Sequence, residues 1–322
     1  MPEKDIMPQK RKYTPLPQRS AKKCHISQAS ITRLTVSRYV SAMNSFFVWR
    51  RAKGLGAEVD FADLDWQLGE YLNHLYQNDR PLYLGINCIA GFKKLRPRCR
   101  KHIDTAVAWL NNWTKVTVKV QAMPLHISLV KAFVSYGLLR RELDFALSLY
   151  VGFLGLLRGC EILDLHMADV QARGPSQVVL ILRDTKGARL RNVPFETVTI
   201  RDPLAITILL KRKTIGGPKL FNGKRARFAE LYRNAVSFFR LPHPKPTPHG
   251  IRRGGASWHF GVHGSYDRTV EHGRWASVKS ARIYINEAAA EESAMASGTQ
   301  GKLRLKDGVD LCRPLLRRSF AV

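Results

Sequence analysis

The sequence predicts a mainly α-helical protein of two domains, with a small β-hairpin or sheet in the second (an α+β chain). Three observations lead there. Apolar residues recur at three- and four-residue spacing along most of the chain. One stretch, Val178-Val179-Leu180-Ile181-Leu182, breaks that rhythm and reads as a buried strand. At 322 residues the chain is long for one domain and sufficient for two.

Residues 1–26 carry Pro2, Pro8, Pro15 and Pro17 and are rich in lysine and arginine, which predicts a solvated basic tail. Residues 27–115 form a helical module. Ile31, Leu34, Tyr39, Val40, Met43, Phe46 and Phe47 mark its first helix, which should stop at Gly54. Phe61, Leu64, Leu68, Tyr71, Leu72 and Leu75 mark the second, broken by Pro81 and Gly85, and segments near 84–94 and 99–114 complete the module. Between these last two runs a basic stretch containing Lys93, Lys94, Arg96, Arg98, Arg100 and Lys101 and no acid. Such a run is either a solvated face or a contact for phosphates.

A polar, β-branched linker is expected at 116–123, and a second domain at 124–292. Pro124 opens a helix through Gly137, and an apolar helix follows from Glu142 to Leu157. After the strand at Val178, Asp184-Thr185-Lys186-Gly187 reads as a turn and Leu190 to Phe195 as the returning strand. Asp202-Pro203 should start a helix to Lys213, with further helices at 225–240, 249–261 and 276–292. Residues 293–322 are basic and read as a loosely ordered C-terminal tail.

Lysine and arginine number 53 against 25 acidic residues, a net charge of +28, while hydrophobic residues make up 45% and can supply a sizeable core. A globular chain this basic repels itself unless a polyanion shares its field, so nucleic acid is the first partner to consider. The most apolar stretch, Leu147 to Leu157, is too short to span a bilayer, and no membrane partner is expected. The N-terminus has no apolar stretch of the secretory kind. The cysteines Cys24, Cys88, Cys99, Cys160 and Cys312 lack CxxC spacing, which argues against a disulfide framework or a zinc site and for a reducing compartment.

Several residues could carry chemistry. Arg158 ends a long apolar run, where an unpaired guanidinium is costly. Glu161, three residues on, is its natural ion-pair partner, and a structural pair is the default meaning of that spacing. Lys186 lies on the predicted turn, where a solvated lysine is the default. His249 and Arg252 share one face at the start of a helix and could bind an anion there. Tyr284 follows Trp275 by nine residues. Neither a Ser-His-Asp set, an HExxH, a paired-carboxylate motif nor a phosphate-binding GxxxxGK[ST] loop competes with these.

Together they resemble the tyrosine recombinase (phage integrase) family. Leu156-Leu157-Arg158-Gly159-Cys160-Glu161 is similar to its first-arginine box, Lys186 to its hairpin lysine, and His249-Gly250-Ile251-Arg252 to its HxxR box. Trp275 and Tyr284 match its His/Trp and nucleophile positions in order and spacing. Gly273-Arg274-Trp275, in place of the common Gly-His, looks like eukaryotic mobile-element members.

The resemblance implies a SAM-like core DNA-binding domain at 27–115 and a catalytic domain at 124–292. It implies cleavage and rejoining of DNA through a 3′-phosphotyrosine on Tyr284, without metal or other cofactor. Arg158 and Arg252 would hold the phosphate, His249 would act on the tyrosine proton, Lys186 would protonate the leaving 5′ oxygen, Trp275 would add a hydrogen bond and packing, and Glu161 would orient the first-arginine region. The implied partner is double-stranded DNA, bound by a homo-oligomer, a tetramer. The expected compartment is a nucleus in a eukaryote and the cytoplasm otherwise. Two alternatives stand beside this reading: a topoisomerase-IB-like enzyme that nicks and reseals one strand, and a non-catalytic DNA-binding remnant of a mobile element.

Overall fold

The computed structural model describes residues 31–55, 60–118, 121–241, 245–295 and 299–320. The basic tail expected at 1–26 lies outside the described residues. The chain divides into two compact units, residues 1–120 and 121–322.

The first unit is helical. α1 (Arg33–Ala52) is capped by the Thr32 side chain, which accepts from the Thr35 amide, and closes at Gly54, whose φ of 69° suits glycine. α2 (Phe61–Gln77) is capped in the same way by Asp60. α3 (Leu82–Leu95) begins after Pro81 and ends in Lys93 and Lys94, two cations at the negative end of the helix dipole. Pro97–Lys101 forms a short 3-10 turn, so α4 (Asp104–Val116) starts later than the expected residue 99. The start is set from outside the helix: the Asp65 carboxylate of α2 accepts the Thr105 and Ala106 amides at 3.0 and 2.8 Å. The core is aromatic, with Phe46 edge-on to Phe92 and to Tyr71, centroids 5.5 Å apart in both pairs. The basic run lies at the surface: Lys94, Arg96, Arg98, Arg100 and Lys101 are exposed and Lys93 is half-buried.

The second unit is built on α5 (Ile127–Leu139) and α6 (Leu143–Leu154), the latter buried on nearly every side. α6 stops at Leu154 rather than Leu157. Leu156 takes a left-handed φ of 49°, and a separate helix α7 (Gly159–Asp164) begins after it. The sheet has three antiparallel strands in the order β1 (Val170–Ala172), β2 (Val178–Arg183), β3 (Phe195–Ile200). Val178 pairs with Ile200, Leu180 with Val198 and Leu182 with Glu196, placing alternate residues on the buried face.

The returning strand is therefore 195–200, and the expectation of Leu190 to Phe195 is corrected. Lys186–Arg191 forms a short helix, α8, because Thr185 caps it by accepting the Ala188 amide at 2.9 Å. Leu190 is left 77% exposed on α8, whereas Val198 and Ile200 reach the core.

α9 (Pro203–Ile215) and α10 (Arg225–Phe238) flank this core. α11 (His249–His263) crosses close to the backbone that precedes α5. A Cβ on Gly254 would lie 1.8 Å from the Leu125 carbonyl oxygen, so only glycine permits the approach. α12 (Tyr266–Gly273) follows, a helix absent from the sequence reading.

The single helix expected at 276–292 is also corrected. It is two, α13 (Val278–Arg282) and α14 (Glu287–Met295), with Tyr284 between them. The break has a local cause. The Asn286 side chain caps α14 by accepting the Ala289 amide at 3.0 Å, while its own amide donates to Ser257 of α11 at 2.8 Å.

The end of the chain departs from the loosely ordered tail expected at 293–322. Thr299–Ser319 is a 21-residue helix, α15, packed on α5. Leu305, Cys312, Leu316 and Phe320 are buried, and Ser135 of α5 donates to the Gly308 carbonyl at 2.5 Å. The apolar spacing of those residues is helical; the intervening lysines and arginines mask it in a reading weighted by charge.

Among the described residues no helix is long and apolar enough to cross a membrane.

Candidate active site

Arg158 stands at the N-terminus of α7 in extended backbone. Its guanidinium donates to Glu161 at 2.6 Å, and its amide donates to the other Glu161 oxygen at 2.8 Å. The spacing is thus a helix cap as well as an ion pair. Burial works against the Arg158 charge, but Glu161 outweighs it and holds the guanidinium pKa above its ordinary value. Burial likewise opposes the Glu161 carboxylate, and Arg274 and Arg158 overcome it, keeping Glu161 below the usual carboxylate range.

α11 delivers His249, Arg252 and Arg253. Arg252 is 1% exposed and held by backbone: it donates to the Leu156 carbonyl and, at 2.6 Å, to the Gly273 carbonyl. The left-handed turn at Leu156 aims that carbonyl at the arginine, a local strain with a positional purpose. The guanidinium lies 4.4 Å from the centre of the Trp275 ring and 5.6 Å from that of Tyr284. Burial, then the charges of Arg158 and Arg274, pull Arg252 down to about 9, which leaves it protonated at neutral pH. Arg253 is also buried and lies 6.0 Å from the Tyr284 ring centre.

His249 remains open to solvent on one side, and its ring stands edge-on to Tyr284 at 5.7 Å. Partial burial and the positive charges of Arg253, Arg252 and Arg158 lower its pKa and favour the neutral imidazole.

Tyr284 is half-buried in the turn between α13 and α14, with Trp275 5.1 Å away on its other side. The fold thus gathers Arg158, Glu161, His249, Arg252, Trp275 and Tyr284 from four separate stretches of chain. Lys186 is exposed at the first turn of α8. The run from Lys93 to Lys101 belongs to the first unit.

Three residues that sequence reasoning passed over complete the charge arrangement. Arg274, buried at the end of α12, donates to Glu161 at 2.9 Å and stands 3.5 Å from Glu196. Glu196 is buried at the edge of the apolar face of the sheet, where it accepts from Thr185 and Arg191. Arg253 adjoins the HxxR box. The available signal was a charged residue at a position whose neighbours are apolar or glycine, as at Gly273-Arg274-Trp275.

The side-chain nitrogens Arg252 Nε, Arg253 Nε and Trp275 Nε1 are buried with no hydrogen-bond partner among the described residues, as are Nε and Nη1 of Arg274, the latter in ion-pair range of Glu196. Each unpaired buried donor costs about 1–3 kcal/mol. Arg252, Arg253 and Trp275, which carry three of these nitrogens, lie 5.6, 6.0 and 5.1 Å from the centre of the Tyr284 ring.

The fold, a helical unit with a three-stranded sheet and a smaller helical unit, is similar to that of solved site-specific recombinases and integrases. The chain is similar to the XerH site-specific recombinase bound to its difH substrate, at 15% identity over 81% of this chain and 78% of that one, with a TM-score of 0.53. It is similar to a lambda integrase dimer bound to a COC′ core site, at 14% identity over 80% and 73%, TM-score 0.55. A third likeness is to the Tn1549 transposon integrase in complex with transposon right end DNA, at 11% identity over 84% and 96%, TM-score 0.52. No family model and no curated protein matches the sequence.

Proposed function

We propose that the protein cuts and rejoins double-stranded DNA as a site-specific recombinase or integrase, through a covalent 3′-phosphotyrosine on Tyr284. The observation that carries this reading is the tyrosine itself, flanked by Trp275, His249, Arg252 and Arg253, beside buried guanidinium donors that lack a partner.

In the proposed step the Tyr284 oxygen attacks phosphorus and the bond to the 5′ oxygen breaks. The tyrosine proton passes to neutral His249, and Lys186 gives a proton to the departing 5′ oxygen. Arg158 and Arg252 neutralise the non-bridging oxygens, with three of the five Arg252 N–H groups left over after the two carbonyls are served. Attack by a 5′ hydroxyl from another strand reverses the chemistry and releases the enzyme. Assembly as an oligomer on DNA, a mobile-element origin and, in a eukaryote, a nuclear setting belong to the same proposal.

The test is a nicked duplex drawn from DNA flanking the gene. Cleavage a few nucleotides before the nick lets the short fragment that carries the new 5′ hydroxyl diffuse away, and the protein should then migrate on a denaturing gel as a DNA-linked band. Relaxation of supercoiled plasmid without strand exchange would favour a topoisomerase-like outcome, and absence of any adduct a non-catalytic DNA binder.

Two further results are expected. His249 has a lowered pKa, so the neutral base persists as pH falls through 6.5, and single-turnover cleavage should decline only below that point. A midpoint at or above 6.5 in the pH–rate profile would exclude His249 as the base. Neutralising Lys93, Lys94, Arg96 and Arg98 should weaken binding to every DNA sequence alike and flatten the salt slope by about 0.9 for each phosphate no longer neutralised. An unchanged slope means the run is a solvated face.

A further inference from the structure

Arg274 occupies a backbone geometry that favours glycine, with φ 60° and ψ 38°, yet it carries a long charged side chain that is only 5% exposed. Arg141 and Arg240 share this left-handed geometry with exposed side chains, so it is the burial of the Arg274 guanidinium that sets it apart. Its Nη2 donates to Glu161 Oε2 at 2.9 Å, and its Nη1 stands 3.5 Å from Glu196 Oε2. One guanidinium thus stands between two buried carboxylates, each of which also has an arginine of its own, Arg158 on Glu161 and Arg191 on Glu196.

The two carboxylates have different clients. Glu161 holds both the guanidinium and the amide of Arg158. Glu196 grips the segment that carries Lys186 from both sides of that lysine. It accepts from the Thr185 hydroxyl before the lysine and from the Arg191 guanidinium after it, and it lies so close to Gly187 that a Cβ there would be 2.3 Å from its Oε1. Thr185 in turn caps α8 through the Ala188 amide.

We infer that Arg274 is a positioning residue that ties the Lys186-bearing helix to the Arg158-bearing helix, so that the proton donor and the phosphate clamp are set by one ion-pair bridge. This rests on the strand-cleavage reading for its consequence in catalysis. Arg274 itself need touch neither DNA nor the reacting atoms.

The informative variant is Arg274→Gly, which the left-handed backbone accepts, with Arg274→Lys as the conservative partner and Lys186→Ala as the reference. Each is assayed on a nicked duplex that carries either an ordinary phosphodiester or a 5′-bridging phosphorothiolate, whose sulfur leaves without protonation. Arg274→Gly should slow ordinary cleavage about 100-fold and phosphorothiolate cleavage about 10-fold, because part of the loss is the misplaced Lys186 acid. Arg274→Lys should recover part of that difference. DNA affinity should change by less than about twofold, since no phosphate-binding group is removed.

Amide exchange in the DNA-free protein reads the bridge directly. Residues 185–191 should exchange about tenfold faster in Arg274→Gly than in wild type. Equal slowing on both substrates, or unchanged exchange at 185–191, overturns the inference. Should Arg274→Gly fail to fold, Glu196→Gln must give the same substrate-selective deficit and the same faster exchange, and without them the bridge is refuted. If wild-type protein cleaves neither substrate, the cleavage reading alone has failed, and exchange at 185–191 still decides whether Arg274 links the two helices.

Discussion

Tyr284→Phe should abolish strand cleavage and the DNA-linked band while leaving the fold and DNA affinity nearly unchanged. The substitution removes one oxygen from a half-buried ring in a turn, and none of the ring's packing depends on that oxygen. Trp275 packs tilted against the ring and His249 edge-on, and Arg252 and Arg253 lie near the ring itself. Stability should therefore shift by no more than the ~0.5 kcal/mol typical of a mild substitution. On the proposed covalent route, by contrast, the lost oxygen is the nucleophile itself, so the expected loss exceeds the ~10⁴-fold range of an ordinary acid–base contribution. Persistence of the adduct in the phenylalanine variant would show that another residue attacks phosphorus.

Arg252→Lys has the second-largest expected effect, and its interest lies in what it keeps. The positive charge remains, but the planar fork that reaches the Leu156 and Gly273 carbonyls is lost. An ammonium on a flexible stem cannot satisfy both carbonyls and still present a donor to phosphate. Cleavage should fall about 10³-fold, the scale of losing one preorganised charge-stabilising donor. Stability should fall by about 3 kcal/mol, because two charge-assisted hydrogen bonds in a buried setting are weakened. Single-turnover cleavage measured where the variant is fully folded separates the two effects. If the rate deficit vanishes once folding is complete, Arg252 is a structural residue and not a phosphate ligand.

Much of the helical framework was legible because helix signals are local. The spacing of Phe46 and Phe47 in α1, the run from Leu64 to Leu75 in α2 and the Asp202-Pro203 start of α9 each lie within a few turns of the residues they organise. The misreadings share one origin. At 190–195 an apolar, β-tolerant stretch was overridden by the Thr185 cap, and at 276–292 a continuous helical pattern was cut by the Asn286 cap and its bond to Ser257. The C-terminal helix failed in the opposite sense, since its charge masked an apolar stripe that acquires meaning only against α5.

The same division runs through the candidate site. Sequence alone determined which residue types stand at 158, 161, 186, 249, 252, 275 and 284, and in what order, because motif spacing is a property of the chain. Tertiary structure decided the rest. Arg274 meets Glu161 across 113 residues, and Arg252 reaches the Leu156 carbonyl across 96. Glu196 becomes a partner of Arg274 only once the β2–β3 register sets it opposite Leu182. The physical reason is that a buried charge is tolerated only where its counter-charge and hydrogen-bond partners converge, and that convergence comes from folding segments distant in sequence.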